Sequence, residues 1–137
     1  LLVEDDLPWL HYLFGKRYPK HYDRATTERW FRSFVVKDPL NMFAARTDDA
    51  FLVALTAVLP WIPGEPEVNV VGLCAEEDCG WQVVRLLRAS IDWARKRNAA
   101  RWRINTDTDY DVGALALRVG AHEISPRFEI DLRGDRQ

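Results

Sequence analysis

Between residues 68 and 132 the chain alternates strand-like and helix-like stretches, and this alternation restricts the fold more than any other feature. The apolar run Val68-Asn69-Val70-Val71-Gly72-Leu73-Cys74-Ala75 meets the acidic turn Glu76-Glu77-Asp78-Cys79-Gly80. A long helix over residues 80–98 is expected next, burying Val83, Val84, Leu87, Ile91 and Ala94 and exposing Arg85, Arg88, Arg95 and Lys96. A strand over 101–106 and a shorter helix over 111–119 follow; the helix stripe is Val112, Leu115, Ala116 and Val119, ended by Gly120-Ala121. A strand end joined to a helix start by a glycine-bearing turn can hold an anion. Unpaired N–H groups and the helix dipole converge there.

The first half is read from the same signals. Residues 1–3 look like a strand end. Asp5 or Asp6 caps a first helix with Pro8 in its first turn and a stripe of Leu7, Leu10, Phe14 and Tyr18, ended by Pro19. A second helix over 26–36 carries Trp30, Phe31, Phe34 and Val35 on one face and breaks at Asp38-Pro39. Residues 42–46 and 51–59 form a hairpin through Thr47-Asp48-Asp49. Two closing strands, 121–124 and 127–132, are broken by Ser125-Pro126. The predicted order is β-α-α-β-β-β-α-β-α-β-β, a mixed α/β sheet flanked by helices in one domain spanning 1–137.

Composition narrows function by exclusion. A net charge of −2 gives no electrostatic reason to expect nucleic acid or an anionic membrane as partner. Cys74 and Cys79 form no CxxC and no zinc pattern, so no metal is expected, and Cys74 is read as a small core residue. No eighteen-residue apolar stretch or signal peptide is seen, so a cytoplasmic domain is expected. The sequence opens at Leu1, and a few native residues are expected before it.

The element order and its details resemble the GNAT fold of acetyl-coenzyme A-dependent N-acetyltransferases. The residues that carry this are Leu86-Leu87-Arg88-Ala89-Ser90-Ile91-Asp92-Trp93-Ala94-Arg95-Lys96-Arg97 and Asp111-Val112-Gly113-Ala114-Leu115-Ala116-Leu117-Arg118-Val119-Gly120-Ala121. Lys16-Arg17-Tyr18-Pro19, Gly80-Trp81, Thr108-Asp109-Tyr110-Asp111-Val112-Gly113 and Ile130-Asp131-Leu132 together resemble a GNAT-like class carried by tailed bacteriophages. The resemblance implies that two strands splay apart and that Val70, Val71, Gly72 and Leu73 offer an open edge to pantetheine, with Gly72 marking a bulge. It places the pyrophosphate on Gly80, Trp81, Gln82 and Val83, and Asn105 across the cleft from Leu73.

The family's Arg/Gln-x-x-Gly-x-Gly/Ala pattern is not kept. Glu77 or its neighbours stand where a basic or amide side chain belongs, and at most one glycine survives. At about 5 Å and an effective dielectric of about 20, each carboxylate opposes a phosphate charge by roughly 3 kcal/mol before screening. An ordinary explanation is that Glu76, Glu77 and Asp78 cap the helix. The family's leaving-group acid, a tyrosine four residues before the stop, falls on Ala116. Tyr110 is the nearby substitute, and Asp107, Asp109 and Glu76 are candidates to bind or deprotonate an amine. Asp107-Thr108-Asp109-Tyr110-Asp111 lacks the glycine and closing glutamate of a calcium loop. The expectation is thus acetyl transfer from acetyl-CoA to a small-molecule or protein amine. The competing one is an inactive module, virion-associated or otherwise, that binds a protein assembly partner through Trp9, Trp30, Trp61 and Trp81.

Overall fold

A computed structural model describes residues 1–37, 40–57, 66–104, 112–124 and 130. The helices are α1 (Leu7–Arg17), α2 (Arg24–Trp30, continuing as a π-helical segment Phe31–Val36), α3 (Gly80–Lys96) and α4 (Gly113–Arg118). The strands are β1 (Met42–Arg46), β2 (Ala50–Ala57), β3 (Glu67–Ala75) and β4 (Arg101–Ile104). They form one described sheet in the order β1-β2-β3-β4, antiparallel except for the parallel β3–β4 pair. The mixed α/β architecture and the hairpin are as the sequence predicted.

Two apolar layers sandwich the sheet. Phe43, Leu52, Val68, Val70, Leu73 and Ala75 pack under α3 through Val83, Leu86, Leu87 and Ala94. On the other face Phe51, Val53 and Cys74 pack under α1 and α2 through Leu7, Leu10, Leu13 and Phe31. Residues paired across β2 and β3 share a face, as the pleat requires. That rule is kept across an irregularity: Ala54 faces Val70 and Val53 faces Gly72, leaving Val71 without a partner in β2. Val71 is therefore the extra residue of a β-bulge, one position before the glycine expected to mark it.

Several boundaries differ from expectation. Residues 1–3 form no ladder and make one backbone bond to the sheet, Leu2 N–H to Ala44 C=O at 3.1 Å. The carboxylate of Asp6 turns back to accept from Val3 N–H at 2.9 Å and does not cap α1, which stops at Arg17, before Pro19. Helix α2 starts two residues earlier than predicted because Asp23 caps it, accepting from Thr26 N–H at 2.9 Å. Phe34 is 50% exposed, since widening to π-helical spacing carries it off the stripe that buries Phe31. Helix α3 ends at Lys96, not Asn98. Asn98 adopts the left-handed conformation (φ 56°), and Ala99 N–H bonds back to Ala94 C=O at 3.0 Å. Gly120 (φ 98°) closes α4 the same way, with Ala121 N–H on Ala116 C=O, so the predicted stop is real. Ile91 is half-buried, not core, while Ser90 is fully buried. Residues 121–124 join no ladder among the described residues, and the predicted cap Asp111 and strand 127–132 lie outside them, apart from Ile130.

Candidate active site

The β3–β4 ladder joins Glu67, Val68, Asn69 and Val70 to Arg101, Trp102, Arg103 and Ile104. Strand β3 runs five residues further, and among the described residues nothing pairs with that length on its β4 side. The bulge at Val71 directly follows the last described β3–β4 pair, Val70 with Ile104. Val71 is 56% exposed, whereas the Leu73 side chain is buried under α3, so only the Leu73 backbone is available to a ligand. An added extended group can take the place of a strand along such an edge.

Strand β3 leads into the turn at residues 76–79 and then the first turn of α3. Gln82 and Val83 N–H groups both donate to Cys79 C=O, at 3.0 and 3.2 Å. Among the described residues nothing accepts from Gly80 or Trp81 N–H. No side chain caps α3, so the expectation that Glu76, Glu77 and Asp78 cap it is not met. Asp78 takes a left-handed conformation (φ 57°) that tightens the turn.

The β1–β2 turn braces this corner. Asp49 C=O accepts from Glu76 N–H at 2.8 Å. The buried Gln82 amide accepts from Thr47 Oγ1 and from Asp49 N–H, and donates to Asp49 Oδ2 at 2.9 Å. Gln82 was expected at the cofactor; its side chain is occupied in fastening α3 to the hairpin. Trp81 is 60% exposed, with the Arg85 guanidinium 5.7 Å from its ring centre. A Cβ added at Gly80 would meet Leu115 Cδ2 at 3.9 Å, so α4 backs the turn.

Glu76 lies just past β3, and its Oε2 accepts from Lys16 Nζ at 2.5 Å. The hydrogen bond to Glu76 raises the Lys16 pKa above its ordinary value. Cys79 is buried and donates to Glu76 C=O; burial, with Asp49 and Glu76 nearby, raises its thiol pKa. Ala116 is buried, in keeping with a core role and no proton donor. Asn105, Asp107, Asp109 and Tyr110 lie outside the described residues. Among the described residues there is no group of carboxylates, cysteines and histidines able to hold a metal, and no helix is long and apolar enough to cross a membrane.

Sequence reasoning missed Lys16, Asp49 and a partly buried cluster between α1 and α2. In that cluster His11 Nδ1 meets the Tyr22 hydroxyl and His11 Nε2 lies 3.2 Å from Glu28 Oε1. Residues 11, 22 and 28 share no local spacing, so no pattern announced them. Trp9 is covered by the Arg46 guanidinium, 3.5 Å from its ring centre, and Trp30 packs edge-on against Phe51. Of the four tryptophans considered as anchors, Trp81 remains open to solvent and Trp61 lies outside the described residues. A hollow of about 250 Å³ lined by Arg88, Ile91, Asp92, Arg95 and Val119 contains none of the expected site residues.

No protein-family model matches the chain, and no curated protein matches it. Solved structures do. A transcriptional regulator from Bacillus halodurans C-125 superposes with a TM-score of 0.76 at 14% identity, covering 96% of both chains. The apo aminoglycoside 6'-N-acetyltransferase of Acinetobacter haemolyticus gives 0.72 at 15%, covering 95% of this chain and 94% of that one. An aminoglycoside acetyltransferase bound to a coenzyme A bisubstrate analogue gives 0.71 at 15%, covering 93% and 92%. The chain has the GNAT fold of the N-acetyltransferases. Within that fold, residues 71–75 of β3 and the start of α3 are the candidate site.

Proposed function

We propose that this protein is an acetyl-CoA-dependent N-acetyltransferase. The observation that carries the reading is the bulge at Val71 in β3, followed by a tight turn into α3, where among the described residues nothing accepts from the Gly80 and Trp81 N–H groups. Pantetheine would lie along residues 71–75 by adding to the strand, and the diphosphate would accept from the α3 amides. The acetyl group would pass directly to an amine, as the C–S bond breaks and the C–N bond forms, without an acyl-enzyme. Asp107, Asp109 and Glu76 remain the proposed amine-binding or basic groups, and Tyr110 the proposed acid. The aminoglycoside acetyltransferases among the structural neighbours make a small polyamine the first acceptor to try.

A second reading has its own observations. An exposed Trp81 and the alanine at position 116 suit a GNAT-like module that has given up catalysis for a protein partner, in a phage virion or elsewhere. Thermal melting separates the two. If acetyl-CoA binds, a concentration a hundred times its Kd stabilises folding by about 2.7 kcal/mol. A melting curve unmoved by millimolar acetyl-CoA removes the enzyme reading; binding with turnover of a simple amine removes the module.

A further inference from the structure

Helix α3 turns one face to the sheet and leaves a basic stripe on the opposite side. Arg85, Arg88, Arg95 and Lys96 are exposed there, against Asp92 as the helix's only acid. The chain as a whole has a net charge of −2, so this excess is local. The helix dipole favours cations in the last turn and so explains Arg95 and Lys96. It gives no reason for Arg85 and Arg88, which sit further from the C-terminus. A solvated helix face ordinarily interleaves opposite charges. Here Arg95 lies 3.5 Å from Asp92, and with the two side chains 77% and 67% exposed the pair is weak. Arg88 has no hydrogen-bond or ion-pair partner among the described residues.

The hollow of about 250 Å³ opens on this stripe, between α3 and the end of α4. Arg88 and Arg95 line it two turns apart, about 10 Å along the helix axis. Half-buried Ile91 and Val119 give it an apolar wall. Cations at that spacing around an apolar wall fit a ligand that is acidic and apolar by turns. A nucleic acid fits less well, because its closely spaced phosphates would run over Asp92 and gain nothing from Ile91 and Val119. A second copy bringing the same stripe would set like charges together.

We propose that this face is a docking site for an acidic amphipathic helix of a partner protein. Two of its carboxylates pair with Arg88 and Arg95, and an apolar side chain between them enters the hollow. A docked helix shares the rise of α3, so carboxylates at i and i+7 meet the two guanidiniums, and the residue at i+3 or i+4 meets Ile91 and Val119. The contact lies on the side of α3 away from the sheet. It therefore leaves residues 71–75 free and does not depend on the acetyl-CoA reading.

The probe is a synthetic alanine-based helix with Glu at i and i+7 and Leu at i+3 and i+4. Isothermal titration into the full chain gives saturable binding that weakens as salt rises. Arg88→Glu and Arg95→Glu each weaken it about tenfold or more, because each sets like charges face to face. Asp92→Asn tightens it severalfold by removing the one charge of the wrong sign. All three side chains are exposed, so the variants melt with the unaltered protein. Charge reversal decides the matter: the Arg88→Glu/Arg95→Glu double variant loses the acidic peptide and binds the same peptide with Lys in place of Glu. The proposal is overturned by no saturable binding of the acidic peptide, by equal binding of a control with Glu at i and i+5, or by a Lys peptide that fails to rescue. A single-stranded oligonucleotide that binds more tightly than the peptide also overturns it. So does sedimentation showing a dimer that Arg88→Glu dissolves.

Discussion

Deleting Val71 should separate binding from folding. The residue is the extra one of the bulge, so its neighbours already alternate correctly: Val70, Leu73 and Ala75 face α3, and Gly72 and Cys74 face α1. Removing it joins Val70 to Gly72 and leaves every later side chain on its present face, unlike an ordinary one-residue deletion, which inverts them. Full burial of a valine is worth about 1.5–3 kcal/mol, and Val71 is 56% exposed, so about 1 kcal/mol of burial is lost. Restoring a regular ladder returns about 0.5–1.5 kcal/mol per hydrogen bond remade. The two nearly cancel, and the expected change in melting temperature is within about 5 °C. The straightened edge should no longer receive an extended ligand. Differential scanning fluorimetry with and without acetyl-CoA reads both quantities. The unaltered protein should gain about 10 °C at a hundred times its Kd, and the deletion variant nothing. A variant that folds and keeps the full shift would refute the role given to the bulge. One that fails to fold would refute the face assignment.

Other outcomes follow from the same geometry. Glu77→Arg should tighten coenzyme A binding by about tenfold after salt screening, measured by titration at two ionic strengths; no change would mean the turn faces away from phosphate. Ser90→Ala should cost about 1–3 kcal/mol in urea unfolding, because the buried hydroxyl accepts from Trp102 Nε1 at 2.9 Å and its loss leaves that indole N–H unpaired. Asp23 is held below the ordinary carboxylate pKa by the Thr26 hydroxyl and N–H. Its cap is therefore fully present above about pH 4 and is lost as pH falls through the lowered value. Asp23→Ser, which keeps a cap without a charge, should flatten that part of the acid-unfolding profile.

What the sequence revealed follows from which interactions are local. The α3 stripe, the hairpin, the Gly120 stop and the approximate place of the bulge all write themselves into short patterns of apolar spacing or glycine. The π-helical segment left no such mark, and so Phe34 was placed inside when it lies half outside. The acids at 76–78 were given a capping role because composition at a helix start suggests one; the chain instead lets Cys79 C=O serve the first turn. Long-range polar pairs were invisible. Lys16 meets Glu76, and Gln82 meets Asp49, across separations that carry no periodic signal. The β3 and α3 elements that carry the candidate site are thus legible as backbone, while the charges around them are legible only once folded.

The account stands on residues 71–75 of β3 being a ligand edge. Backbone amide resonances followed during an acetyl-CoA titration test this most directly. Saturable shifts confined to residues 71–75 and to Gly80 and Trp81 are the predicted result. Unmoved amides there at millimolar ligand, or shifts gathered instead around Arg88 and Arg95, would contradict it.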